Sequence, residues 1–148
     1  MTTLSWQQGT IEQVVALSQR IPEFDQPYGA EVYRHRLASV PHLIQIGYSD
    51  GEAAGFKVGY ALSDDTFYSW MGGVLPQGRG TGMAQHLLEA QESWAVQQGY
   101  SLLQVKSRNR YPAMLRLLLR NGYQITRCED KGEGTLDHRI HFEKTLKN

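Results

Sequence analysis

Apolar positions along this chain repeat first with a helical period, then with the period of strands, and then alternate between the two. Residues 4–6 read as a short first strand. Thr10 opens a helix, with Gln13 three residues on as in a capping box, and Ile11, Val14, Val15 and Leu17 follow at helical spacing. Ile21-Pro22 ends that run, residues 22–27 form a loop, and a second helix covers 30–37 with Val32, Tyr33 and Leu37 on one side. Strands are expected at 42–48, 54–62 and 66–75, the first two joined by a tight hairpin at Asp50-Gly51. The long amphipathic helix 83–98 stops at Gly99. A strand at 101–107 and a helix at 112–120, with Pro112 in its first turn and Gly122 after its end, complete the alternation. Strands at 123–127 and 136–146 close the chain.

The order β-α-α-β-β-β-α-β-α-β-β predicts an α/β (α+β) domain: a mixed, mostly antiparallel sheet of six or seven strands with helices on both faces. The strand–helix–strand unit across residues 66–107 calls for a parallel, right-handed crossover within it. A chain of 148 residues fits one domain, 1–148, with a single core.

Composition narrows the class without naming a function. Apolar residues make up 41% and charged residues 20%, an ordinary globular balance. No apolar run approaches the about 20 residues that cross a bilayer, and no basic segment precedes an apolar one at the start of the chain. Neither a membrane partner nor a secretory signal is expected. Cys128 is the lone cysteine, which points to a reducing, cytoplasmic setting. Zero net charge argues against a nucleic-acid partner. The zero conceals an asymmetry: residues 1–65 carry eight acids against four bases, whereas 93–128 carry six bases and no acid. Such a division provides one region for an anionic ligand and another for a cationic one.

The candidate chemistry lies where the third long strand meets the longest helix. Gln77-Gly78-Arg79-Gly80-Thr81-Gly82 places three glycines in five positions. Glycine admits positive φ and lets backbone approach a ligand. The first amides of the following helix lack internal partners and sit at the positive end of its dipole, the setting in which a pyrophosphate binds. Arg79 adds a charge for a phosphate oxygen. A ligand-free tight connection is the plain structural alternative. A P-loop is excluded because Met83-Ala84 follow Gly82 where lysine and a hydroxyl are required. A dinucleotide fold would place its glycines after a first parallel strand.

The segment Val74-Leu75-Pro76-Gln77-Gly78-Arg79-Gly80-Thr81-Gly82 resembles the acyl-CoA signature of the GNAT superfamily of N-acetyltransferases, with Gln77, Gly80 and Gly82 at the motif positions. Asn109 and the stretch ending in Gly122-Tyr123 resemble the family's later segment. The resemblance covers residues 68–127 and implies acetyl-CoA as co-substrate with no metal. It also implies direct acetyl transfer to a primary amine of a small molecule or peptide, and a homodimer as a candidate assembly. It places the pyrophosphate on the turn amides and the pantetheine along Gly73 and Val74. The thioester would lie between two splayed strands, 67–75 and 101–107, with Asn109 close by.

Catalysis further needs a base for the amine and an acid for the departing thiolate. The position at which many family members carry a tyrosine acid is Leu118, which leaves Tyr111 and Tyr123 as candidates. That leucine also keeps a non-catalytic acyl-CoA sensor open as the alternative. Glu23, Asp25, Asp64 and Asp65 are loop carboxylates available as a base, and the acidic N-terminal part suggests a cationic acceptor. Phe67, Tyr68 and Trp70 are candidates for an aromatic acceptor wall, at least two of them expected in the core; His35 and His42 are further candidates for lining it. His138 and His141, three apart on a strand, face opposite ways and make a poor metal pair.

Overall fold

The computed structural model describes residues 2–147. Its elements are β1 (Leu4–Gln8), α1 (Ile11–Ser18), α2 (Ala30–Leu37), β2 (His42–Ser49), β3 (Glu52–Ala61), β4 (Thr66–Val74), α3 (Met83–Gln97), β5 (Leu102–Arg108), α4 (Pro112–Arg120), β6 (Gln124–Glu129) and β7 (Arg139–Thr145). The seven strands form one sheet in the order β1-β2-β3-β4-β5-β7-β6. All neighbouring pairs are antiparallel except β4 and β5.

Local chemistry accounts for the boundaries. The Thr10 hydroxyl accepts from the Gln13 amide, and the Gln13 side chain accepts from the Thr10 amide. Asp50 and Gly51 both take positive φ, 51° and 85°, and close the β2–β3 hairpin in two residues. Gly99 and Gly122, at φ 94° and 87°, terminate α3 and α4. The last strand starts at Arg139 rather than 136, because Thr135–Asp137 coil into a 3-10 turn.

Two apolar layers sandwich the sheet. On one face α1 and α2 set Val14, Leu17, Tyr33 and Leu37 against Ile46 and Phe56. On the other, α3 and α4 set Leu88, Ala95 and Leu118 against Phe67, Leu103 and Phe142. A side chain of this size contributes about 1.5–3 kcal/mol when fully buried, so these layers fix which way each strand faces. The α1–α2 layer includes no residue of β5, β6 or β7. Strand alternation therefore presents Lys106, Arg139 and His141 on that side, opposite the buried Val105, Ile140 and Phe142. No helix among the described residues is long and apolar enough to cross a membrane.

Candidate active site

The parallel pairing of β4 with β5 is short. It runs from Thr66–Leu102 to Ser69–Val105 and stops there. The cause lies on the other edge of β4, where Val58 pairs with Met71 and Gly59 with Ser69, leaving Trp70 as an extra residue. A bulge turns its strand and ends regular pairing. Beyond it, residues 70–74 and 106–108 are the facing walls of a gap.

The glycine turn stands at the open end of that gap. Pro76–Gly78 form a 3-10 turn in which the Gly78 amide donates to Leu75 O and the Arg79 amide to Pro76 O. These two amides of the expected cradle are thus used within the fold. The cradle moves one step along the chain. Gly80 and Gly82 take φ 78° and 90°, and Gly82 opens α3 with no side-chain cap. Among the described residues, no amide from Gly80 to Gln85 donates to a partner. A helix start usually recruits Ser, Thr, Asp or Asn for this purpose; here six consecutive N–H groups stay free at the positive end of a 15-residue helix. Space around Gly80 is open, with no atom within 4 Å of where a Cβ would stand. Thr81 supports the turn by donating its hydroxyl to Gly78 O at 2.5 Å.

Arg79 folds back. It donates from Nε and Nη2 to the Val74 carbonyl, each at 3.3 Å, and from Nη2 to Glu23 at 2.6 Å. Hydrogen bonding to Arg79 holds the Glu23 carboxyl below its ordinary value. The Val74 carbonyl, which points into the gap, is covered by this guanidinium. Gly73 has the reason for its identity on the opposite face: a Cβ there would stand 2.6 Å from Ile21 Cδ1 and 3.3 Å from Phe24 Cζ, so glycine lets the α1–α2 loop rest on β4. Gln77 is exposed beside the turn.

The other candidates divide. Asn109 donates its side-chain amide to Thr135 O at 3.0 Å, tying the end of β5 to the β6–β7 loop. Tyr111, half-buried, precedes α4 immediately past the gap. Tyr123 is 3% exposed and donates its hydroxyl to Glu92 at 2.7 Å. Burial, with Glu92 adding, pushes its ionisation far above the ordinary tyrosine value. Glu92 also pairs with Lys144, whose partner in the sheet is Leu103. Tyr123 thus sits at the closed end of the β4–β5 pair, its hydroxyl committed to Glu92. The Asp65 carbonyl accepts from Ser101 and Leu102 where β5 begins, also at the closed end. Leu118 is core, 1% exposed. Phe67 is fully buried, whereas Tyr68 and Trp70 are half-buried on the face of α1 and α2. His35 and His42 are exposed, and His42 Nδ1 lies 3.0 Å from Val40 O. His138 meets Asp130 and His141 meets Glu129, so the two histidines serve different carboxylates. Among the described residues no three His, Cys, Asp or Glu side chains are grouped as a metal site.

A family model for the acetyltransferase (GNAT) family matches residues 11–123, three-quarters of the chain. The chain belongs to the GNAT family of acetyltransferases. Solved structures share its fold at low identity. The ribosomal-protein-S18-alanine N-acetyltransferase from Escherichia coli superposes with TM-score 0.83 at 16% identity, covering 100% of this chain and 96% of that one. Ard1 from Thermoplasma volcanium gives TM-score 0.81 at 15% identity, over 98% and 99%. A GNAT family acetyltransferase from Elizabethkingia anophelis, solved with acetyl-CoA bound, gives 0.72 at 16%, over 98% of each chain. No curated protein matches this chain by sequence. The free amides, the open space at Gly80 and the unpaired β4 edge of this acetyltransferase fit a diphosphate-bearing acyl thioester.

The geometry also gives weight to residues that the motif does not contain. Arg36, Tyr28 and Tyr60 join Tyr68 and Trp70 in one aromatic and cationic cluster beside the bulge. Lys106 and Arg139 approach it from β5 and β7. Their signal in the sequence was alternation of charged with apolar positions within those two strands, which looks the same for an ordinary solvated face.

Proposed function

We propose that this acetyltransferase moves the acetyl group of acetyl-CoA directly to a primary amine of a small molecule or peptide. The observation that carries the reading is the meeting of six free amides, Gly80 to Gln85, with the unpaired edge of β4. Those amides would hold the pyrophosphate, with Gly73 and Val74 along the pantetheine, Thr81 bracing the turn and Gln77 and Asn109 flanking it. When bound, the thioester supplies an activated acetyl carbon. The amine would come from the α1–α2 face of the sheet. Its nitrogen bonds to the carbonyl carbon, the C–S bond breaks, the amine loses a proton to a base, and the thiolate gains one from an acid.

Glu23 and Asp25, in the loop that packs over Gly73, are the carboxylates suited to the base. Tyr111, at the gap end of β5, is the acid candidate that remains. Arg79 must leave the Val74 carbonyl for the β4 edge to be used, and the phosphates give it a new partner. The cytoplasm is the proposed compartment, on the strength of the exposed, unpaired Cys128. Leu118, buried where a tyrosine acid would stand, is the observation that favours the second reading, a non-catalytic acyl-CoA sensor.

Gly80→Val tests the cradle. A β-branched residue at φ 78° is strained and its side chain fills the space the ligand would use. Acetyl-CoA affinity by calorimetry is expected to fall at least about tenfold, the loss of one or two charge-assisted bonds, with the circular-dichroism spectrum retained. Unchanged affinity would remove the cradle. Assay of wild-type protein against an amine panel separates enzyme from sensor: tight binding with no acetylated amine supports the sensor.

A further inference from the structure

Resting on that reading of the site, we propose that the acceptor carries a carboxylate as well as its amine, as a free amino acid does. Arg36, Lys106 and Arg139 receive that carboxylate above a floor of Tyr60, Tyr68 and Trp70.

The floor is continuous. Tyr60 and Tyr68 meet edge to face with centroids 5.4 Å apart, Tyr60 and Trp70 at 5.7 Å, and Tyr28 stacks on Trp70 at 5.9 Å. Tyr68 and Trp70 flank the point where β4 leaves β5, so the floor borders the gap in which transfer would take place. Three cations stand around it. The Arg36 guanidinium carbon lies 4.8 Å from the Trp70 centroid, and Arg36 donates to the Tyr60 hydroxyl at 3.0 Å. Lys106 Nζ lies 5.3 Å from the Tyr68 centroid. Arg139 and Arg36 both act on the Tyr68 hydroxyl through their charge.

Half of the protein's ten arginines are neutralised by a carboxylate, and, among the described residues, none of the three left unpaired outside the cluster, Arg20, Arg116 and Arg120, lies over these rings. Arg34, Arg79, Arg108, Arg110 and Arg127 each have a carboxylate within 4 Å. Among the described residues, Arg36, Lys106 and Arg139 have none. The one acid that acts on Lys106 is Glu129, which is already shared by His141, Arg127 and Lys131. Against it stand the charges of Arg139, Arg127 and Lys131. A guanidinium packed on a ring keeps most of its five N–H donors free, and its fork matches a carboxylate. Like charges held together in this way repel one another until an anion arrives.

The same arrangement favours an anionic group on the acceptor over the purely cationic one that the N-terminal acids suggested. Five of the eight N-terminal acids on which it rested are engaged elsewhere: Glu12 and Glu31 with Arg34, Glu23 with Arg79, Asp50 with the Thr3 amide, and Asp65 with Ser63 and Thr66. A bare polyamine would meet three positive charges at this cluster.

Matched amines decide the matter: phenylalanine against phenethylamine, and lysine against cadaverine, each with acetyl-CoA and thiol release as the readout. The member with the carboxylate is expected to have a kcat/KM at least about tenfold higher, carried mainly by KM. Arg36→Gln and Arg139→Gln are each expected to shrink that preference, with thermal melting used to verify the fold. Equal or better use of the decarboxylated amines overturns the carboxylate assignment and leaves the acetyltransferase reading intact. If no amine is acetylated, that reading fails, and binding to CoA-loaded protein decides in its place. Tighter binding of N-acetylphenylalanine than of N-acetylphenethylamine, lost in Arg139→Gln, supports the anion site; equal binding refutes it.

Discussion

Arg79 is at once a motif residue and an obstacle. Its guanidinium bridges the Val74 carbonyl and the Glu23 carboxylate, which lie on the two sides the substrates must approach. Both partners of the ion pair are nearly half exposed, 44% and 43%, so the pair is worth at most about 1 kcal/mol. That is small enough for a phosphate to displace. Removing the competitor therefore helps the ligand: Glu23→Gln is expected to tighten acetyl-CoA binding by up to about fivefold in calorimetry. Weaker binding in that variant would show that Glu23 supports the cradle instead of competing with it.

The seating of α3 on the sheet has a polar seam. Met83 and Leu87 pack with Ala54 at one end, and Leu88 and Ala95 with Phe67 and Leu103 at the other. Between them lie Gln45 and Gln91, both fully buried, and beside them Lys57 on β3. Desolvation brings the Lys57 ammonium down to about 8, with Glu92 opposing. Below pH 8 both folded and unfolded chains keep the proton, and the folded chain bears the cost of a desolvated charge. Between about pH 8 and 10.5 the folded chain releases the proton while the unfolded chain retains it, so stability rises with pH. Lys57→Met is expected to melt several degrees higher than wild type at pH 7, a gain on the order of 2 kcal/mol, and the difference should narrow by pH 10. A variant less stable at pH 7 would give Lys57 a structural role. Elements of this kind were legible where their signals are local. Asp50-Gly51, Thr10 with Gln13, and Gly99 each mark a boundary by backbone chemistry that needs no tertiary context. The β4 bulge was not legible as a bulge, because Trp70 becomes the extra residue only through its register with β3. The 3-10 turn at Pro76–Gly78 was hidden for the same reason, since its amides look free until the chain folds back on Leu75.

At the scale of the whole molecule, the proposed reaction would bring two substrates together across one sheet. The α3–α4 side would bring the thioester to free amides, and the α1–α2 side leaves β5 and β7 bare for the amine. Charge asymmetry in the sequence pointed to two differently charged regions, but the folded chain redistributes it. Glu23 goes to Arg79, Asp137 goes to Arg110, and Lys106 and Arg139 stay without a carboxylate. Linear runs of charge could not give that outcome, because the two sides of these contacts come from loops and turns 56 residues apart (Glu23 and Arg79) and 27 residues apart (Arg110 and Asp137). The glycine turn was legible as a strand-to-helix connection, though the amides it leaves free lie further toward α3 than the motif letters suggest. Amide chemical shifts on titration with CoA test that placement most directly. The largest changes are expected at Gly80 through Ala84, with Gly78 and Arg79 moving less because their N–H groups stay bonded to Leu75 and Pro76. Saturable binding that leaves Gly80 through Ala84 unmoved would contradict the account.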